Sequence, residues 1–582
     1  MLKTLRTYYS FLWRYKTYFI VFFCAFSIYA ISANIQPYFF KLFIDNIPKS
    51  NFGNLFKIFI AYIFARIINV IADVISGMSG DRMLMNSSRD VRLEYFKKIN
   101  DLDFAYHLSK KIGTLISAVK RGDNAFFDVH YVLHWRMGSV FISFLIMLFF
   151  FSRLNIYLLL SLLISLTITI IIGKKLINNN LKTRKAFLEK DDHIMDVLID
   201  NLNNFDTVKL FAKEQWEHNR LLNLHQEWYK KFYQFTKSFR QIDINIGMIG
   251  NLSIFSILIL GLFQFKNRMI TIGDYIMIVS FITSFYPRLF EVIYETRQMV
   301  TATVDLEKYF KVFDEEIKVP DPINPVKKKN VLGKIEFKNV SFIYPDNKRN
   351  ALNNFSLSIR PGESVALVGK SGAGKTTIGK LILHYYDIHQ GEILLDDVNI
   401  NKYTKSNLRS FIGVVPQEPI LFNDTIGYNI AYSKPSATKR QIIAATKLAN
   451  LHDFIMTLPK KYDTLVGERG IRLSGGQRQR LAIARVILAN PDIILFDEAT
   501  SQLDSISEKL IRTSLRNASK NKTTIIIAHR LSTISWVDKI VVIDNGKIVE
   551  IGTHQELISN KKSLYNHFWE LQSDQVSKEI SL

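Results

Sequence analysis

Three short stretches in the second half of the chain carry residue types and spacings suited to handling phosphate. Gly369–Thr376 reads Gly-Lys-Ser-Gly-Ala-Gly-Lys-Thr, the pattern G-x-x-x-x-G-K-S/T. Its glycines let backbone N–H groups close around phosphate oxygens, and a helix opening at Thr377 turns its positive end toward them. Lys375 is placed to reach the outer phosphates, and Thr376 to ligand Mg²⁺. Ile493–Glu498 is an apolar run ending in two acids. An acid at a strand end beside such a loop holds a metal ion, usually through water, so Asp497 is a metal candidate. The adjacent Glu498 can polarise an attacking water as general base. Leu473-Ser474-Gly475-Gly476-Gln477 opens the apolar-periodic run Arg478–Leu488. Its two glycines permit close backbone approach, which makes a second helix start aimed at an anion.

These stretches need elements to position them. From about Gly333 short apolar, β-branched runs (Ser364–Val368, Asp492–Phe496, Thr523–Ala528, Lys539–Ile543) alternate with helical stretches such as Thr377–Tyr386. That pattern predicts an α/β domain whose strands are buried on both faces. Asp314–Asn330 holds three prolines and Lys327–Lys329, and reads as a linker.

The first half has a different texture. Of 582 residues 48% are hydrophobic and 43 are Phe, and the apolar residues are clustered. Six runs have the 17–25 residues that cross a bilayer: Tyr18–Phe40, Leu55–Met78, His134–Phe151, Ile156–Ile172, Ile246–Phe265 and Tyr275–Tyr294. The first is too long for a signal-peptide core and lacks a small-residue cleavage site, so it is expected to stay as a helix. Connections after the second and fourth runs are long and basic (Lys97, Lys98, Lys110, Lys111, Lys120, Arg121; Lys174, Lys175, Lys182, Arg184, Lys185). The short ones carry few, among them Lys49, Arg153, Lys266 and Arg268, which places the N-terminus and both long loops in the cytoplasm. Val91–Ile99 and Ala186–Leu202 keep helical spacing, so the spanning helices are expected to continue into the cytosol and join through short turns. The net charge of +23 follows this loop bias rather than a nucleic-acid-binding face. A lone cysteine, Cys24, excludes an internal disulfide and a Cys-based metal site.

Through Leu473–Gln477 the chain resembles the ATP-binding cassette superfamily, whose signature this is. The resemblance covers nearly the whole chain and implies further roles. Tyr344, before Pro345, resembles the aromatic that stacks on adenine. Gln417 resembles the glutamine that contacts Mg²⁺ and links the site to the membrane domain. Gly467-Glu468-Arg469-Gly470 resembles the exporter loop that faces the cytoplasmic helices. Ser501–Asp504 resembles the loop after the catalytic acid, with Gln502 where many members have alanine. His529 resembles the switch histidine that touches the γ-phosphate. Catalysis is thereby expected from Glu498, His529 and Gln417, and Mg²⁺ binding from Thr376, Gln417 and Asp497. ATP is expected to be bound by Tyr344, Gly369, Ser371, Gly372, Gly374, Lys375, Thr376 and Thr377, and by Ser474, Gly475, Gly476 and Gln477. Tyr106-His107, Gly113, Arg121-Gly122 and Asp206–Lys209 are similar to the heavy-metal-tolerance and mitochondrial iron–sulfur-related exporters, with lipid A flippases and multidrug exporters as the near alternative.

The expected fold is multi-domain: an all-α six-helix transmembrane domain (1–313) with long cytoplasmic helical extensions, a linker (314–333) and an α/β P-loop ATPase domain (334–582). The expected assembly is a homodimer in a bacterial plasma membrane, its ATPase domain cytoplasmic, with no nucleic-acid partner. Its expected activity is ATP-hydrolysing export of an amphipathic or charged small molecule or lipid. Polar residues in two spans bear on the cargo. Arg66, Asn69 and Asp73 are expected on one face of the second, and Arg288, Glu291, Glu295 and Gln298 on the sixth. A charge inside a span marks a pathway or a buried pair, and Arg288 and Glu291 are spaced to pair.

Overall fold

The computed structural model describes residues 2–49, 52–110, 112–345, 349–467, 470, 472–498, 505–528 and 530–580. It divides into two compact units, one formed by Met1–Leu102 and Lys110–Glu316, the other by Asp103–Ser109 and Ile317–Leu582.

The first unit is helical. After Leu2–Trp13 come α1 (Lys16–Asn34), α2 (Gln36–Asn46), α3 (Phe52–Asp101), α4 (Ile112–His130), α5 (Gly138–Leu154), α6 (Ile156–Asn203), α7 (Glu214–Lys266) and α8 (Ile272–Asp314). Among the described residues six helical runs are long and apolar enough to cross a membrane: α1 with α2, α3, Leu115–Leu154, α6, α7 and α8. Many of their apolar side chains remain exposed, Phe64 by 64% and Ile171 by 65%, as a lipid-facing surface requires. The 50 residues of α3 span about 75 Å at 1.5 Å rise per residue, far beyond the ~30 Å of hydrocarbon. Helices therefore do extend past the membrane.

Local chemistry sets several boundaries. Asn155 caps α6 by accepting from the Tyr157 N–H at 2.8 Å. Thr271 and Asp274 form a capping box at the start of α8. The third crossing departs from expectation. Instead of starting near His134, it belongs to a longer helix carrying a π-helical turn, Tyr131–Met137, where His130 and His134 meet Nδ1 to Nδ1 at 2.9 Å.

The second unit packs two sheets. β1 (Ile335–Ile343), β2 (Asn350–Ile359), β4 (Gln390–Leu395) and β5 (Val398–Asn399) form an antiparallel sheet in the order β2-β1-β4-β5. β3 (Ser364–Val368), β6 (Ile412–Val415), β7 (Ile493–Asp497), β8 (Thr523–Ile527), β9 (Lys539–Asp544) and β10 (Lys547–Gly552) form the other, in the order β10-β9-β3-β8-β7-β6. It is parallel except at β10. β3 and β8 are buried at every residue, which is why their sequences are unbroken apolar or Thr/Ser runs. Asp103–Ser109 belongs to this unit through specific contacts. The Asp103 carboxylate accepts from the Lys318 and Val319 N–H groups at 2.5 and 3.3 Å, and the Phe104 ring stacks on Tyr385 at 4.4 Å.

Candidate functional site

The parallel sheet brings the separated stretches together. β3 ends at Val368, and the loop Gly369–Gly374 leads into α9 (Lys375–Ile382). Gly369 and Gly374 have φ of +156° and +105°. A Cβ on Gly369 would lie 2.1 Å from the Ile543 carbonyl oxygen, and one on Gly374 2.6 Å from that of Ala351. Only glycine fits either place. Lys375 is buried, its Nζ donating to the Gly369 and Lys370 carbonyls at 2.7 and 2.9 Å. Burial holds this ammonium below the usual lysine range, while the Glu498 and Asp497 carboxylates act against that shift. The loop is thus drawn around a cation with two acids in electrostatic reach.

Asp497 closes β7, and Glu498 follows with φ +49°, its N–H donating to the Ile527 carbonyl at 3.0 Å. A left-handed Glu at a strand end is strained, and such strain persists where surrounding contacts over-determine it. β6 pairs with β7 in the register Val415↔Phe496, which carries Pro416 and Gln417 alongside the two acids. Gln417 is exposed. Thr376 and Thr377 stand in the first turn of α9, and Thr377 Oγ1 lies 3.1 Å from the Tyr344 hydroxyl. Tyr344 meets Phe342 and Tyr386 edge-on at 4.9 and 5.3 Å, with Lys380 Nζ 5.5 Å from its ring centroid. The glycine cradle, buried lysine, hydroxyls and paired acids are a donor set that fits a nucleotide triphosphate with Mg²⁺.

Ser474 caps α10 (Gly475–Ala489) through a capping box with Gln477. Ser474, Gly475, Gly476 and Gln477 therefore form one exposed-to-half-buried helix start, with Gly476 the buried member. His529, Glu468, Arg469 and Ser501–Asp504 lie outside the described residues. Sequence reasoning missed Gln479, whose Nε2 donates to the Gln417 carbonyl at 2.6 Å and the Pro416 carbonyl at 3.2 Å. A polar residue on the apolar face of a helical run is the signal that could have found it.

In the first unit the polar stripes take different partners from those expected. Arg288 does not pair with Glu291. Its Nη1 donates to Asn34 Oδ1 at 3.3 Å and Ser143 Oγ at 3.5 Å, while Arg136 pairs with Glu291 at 2.7 Å and Glu295 at 3.3 Å. A neighbouring helix offered a better-placed cation than the turn within the same helix. Asn69 is buried, donating to the Tyr29 carbonyl and Ser32 Oγ, whereas Arg66 and Asp73 are exposed. Arg66 lines an open apolar pocket made of α3 residues alone, Ile63, Ile67, Val70 and Ile71 beside it. Gln298 instead lines a cavity of about 300 Å³ with Arg121, Asp128, Arg184 and Asp305, between α4, α6 and α8.

Comparison with known proteins gives this geometry a family. Residues 352–501 match the family model described as ABC transporter, and residues 18–288 the ABC transporter transmembrane region. The Heavy metal tolerance protein of Schizosaccharomyces pombe is 36% identical over 83% of the chain, and the chain spans 58% of that protein's length. ABC transporter B family member 6 of Dictyostelium discoideum is 33% identical over 92% of the chain and 81% of its own length. A solved bacterial Atm1-family ABC exporter with ATP bound is 30% identical and superposes with a TM-score of 0.84, covering 96% of this chain and 99% of that one. The chain belongs to the ABC transporter family, on the branch of half-size exporters that includes the heavy-metal-tolerance proteins.

Proposed function

We propose that the chain is an ATP-hydrolysing exporter working as a homodimer in a plasma membrane, a bacterial inner membrane, and that it moves an amphipathic or charged small molecule or lipid out of the cytoplasm or inner leaflet. The mixed-charge cavity carries the cargo assignment. Two guanidiniums and two carboxylates line it. Gln298 lies 26 residues into α8, about 39 Å from its outer start at 1.5 Å per residue, so the cavity opens below ~30 Å of hydrocarbon, where cargo would enter. Groups of both signs suit a cargo with charges of both signs, or one bound with counter-charges. The names of the heavy-metal-tolerance relatives agree with a charged cargo.

In the proposed cycle Lys375 and the loop amides hold the phosphates, Glu498 positions and deprotonates the attacking water, and Gln417 and His529 report the γ-phosphate. Thr376, Gln417 and Asp497 would hold Mg²⁺, which neutralises charge on the leaving phosphates. Each cassette has one phosphate loop and one signature helix, so two chains supply two complete sites with C2 symmetry. Phe104 stacked on Tyr385 is the contact through which the first cytoplasmic loop would follow its cassette.

The reading is tested by ATPase activity in lipid discs against lipids, thiol conjugates, metal chelates and drugs, where stimulation by none of them would count against it. Arg121→Ala is expected to abolish cargo stimulation and leave basal turnover and melting temperature close to wild type, because Arg121 lines the cavity while its side-chain partner Ser117 is neutral and no charge is stranded. A parallel loss of basal activity and stability would assign Arg121 to structure alone.

Tyr344→Ala is expected to weaken ATP binding by about tenfold, the worth of one stacked base, whereas Tyr344→Phe keeps the ring and should bind normally. Equal losses in the two variants would show that the hydroxyl contact with Thr377 carries the effect.

A further inference from the structure

We propose that Gln479 is a positioning residue that makes the two ATP sites of the dimer sense one another. The proposal rests on the reading above, in which Gln417 attends the nucleotide on its own phosphate loop while Ser474–Gln477 attends the partner's.

Gln479 stands on α10 two residues beyond Gln477, with only 5% of its surface exposed. Its amide nitrogen donates to the carbonyls of Gln417 at 2.6 Å and Pro416 at 3.2 Å. Both partners are acceptors only, so the amide can present only its N–H₂ to them; the flipped arrangement would set oxygen against oxygen. The register Val415↔Phe496 places these carbonyls beside Asp497 and Glu498. One side chain therefore connects the loop next to one site's acids to the helix whose start addresses the other site. Any shift of Gln417 toward or away from its own nucleotide is transmitted to α10 through these bonds.

The rest of that loop is held independently. Arg485, farther along α10, donates to the Ile420 carbonyl at 3.1 Å and to the Asn429 carbonyl and Oδ1 at 2.5 and 2.6 Å. Asn429 in turn clasps Phe422 through both its N–H and its carbonyl. Residues 420–429 thus keep their place without Gln479, whose bonds reach only the two residues beside the acids. The other end of its amide is different: Oε1 is buried with no hydrogen-bond partner among the described residues. An amide satisfied at one end suits a group that exchanges partners between two arrangements rather than one built only to hold.

The test uses the full chain in lipid discs, with ATP turnover followed against ATP concentration for wild type, Gln479→Leu and Gln479→Glu. Leu removes both donors, and Glu keeps the shape while turning oxygens toward the two carbonyls. Wild type is expected to be cooperative in ATP. Both variants should fall toward a Hill coefficient of about 1. Their kcat should drop roughly three- to tenfold, the worth of lost hydrogen bonds to backbone carbonyls, with KM and ATP binding nearly unchanged. Gln479→His, which retains one ring N–H donor, should lie between. Wild-type turnover without cooperativity, unchanged cooperativity in the variants, or a kcat loss matched by equal losses in ATP affinity and melting temperature would overturn the proposal. Its failure is separable from that of the dimer reading, because chains broken at different half-sites test for composite sites directly. Composite sites with unaltered cooperativity would sink the role of Gln479 alone.

Discussion

Glu498→Gln is expected to cut ATP turnover by at least about 100-fold while ATP binding persists, since removing a general base costs 10²–10⁴-fold. Gln has nearly the shape of Glu, so the left-handed backbone at this residue and its N–H bond to Ile527 should survive the exchange. What disappears is the negative charge and its proton affinity. The neighbouring Asp497 retains its carboxylate, so metal binding at the strand end has no reason to fail. Lys375 loses one of the two acids that favour its charged form but keeps its bonds to the Gly369 and Lys370 carbonyls. The variant should therefore accumulate in an ATP-loaded state, seen as slowly exchanging nucleotide on the full chain. Residual turnover above about a tenth of wild type would move the base to another group.

How much of this was readable from residues alone differs between the two halves. The phosphate loop, the acid pair and the signature helix are local: each function sits within a few consecutive residues, and the flanking strand or helix is encoded by adjacent apolar patterning. β3 and the capped start of α10 accordingly fall where the runs Ser364–Val368 and Leu473–Gln477 place them. The spanning helices are similarly plain because lipid demands long apolar runs. Pairings between elements were not legible. The i, i+3 spacing of Arg288 and Glu291 suggested a pair, but helix spacing describes only one helix, and Arg136 from the third crossing supplied the competing cation. The π-helical turn at Tyr131–Met137 has no composition of its own to announce it. Asn69 turned inward while Arg66 and Asp73 did not, because a shared stripe some 60° wide can straddle the edge of a packed interface. The positive φ at Glu498 was equally hidden: only glycine, Asn and Asp advertise left-handed backbone. Gln479 was missed for the same reason as the Arg136 pairs. Its partners lie 62 and 63 residues away in sequence.

Mixing Lys375→Ala chains with Gly476→Asp chains is expected to restore nucleotide trapping that neither variant shows alone. In a Lys375→Ala homodimer both phosphate loops lack the cation that is buried against the Gly369 and Lys370 carbonyls. In a Gly476→Asp homodimer both signature helices carry a carboxylate at a buried position in the first turn of α10, where an incoming phosphate would meet repulsion. If the phosphate loop and signature of one ATP site came from one chain, every site in the mixture would contain one of the lesions, and mixing would change nothing. If each site joins the loop of one chain to the signature of the other, the mixed dimer has one site with both lesions and one with neither. The intact site uses Lys375 of the Gly476→Asp chain and Gly476 of the Lys375→Ala chain. Random pairing makes half the dimers mixed, so trapping should reach about a quarter of the wild-type sites and depend on the mixing ratio with a maximum at equal amounts. No trapping at any ratio, with mixed dimers demonstrated by differential tagging, would rule out the shared site. The pattern at equal amounts also separates partnership from simple rescue of folding. A folding effect would raise the yield of both chains without tying the trapped nucleotide to dimers that carry both tags.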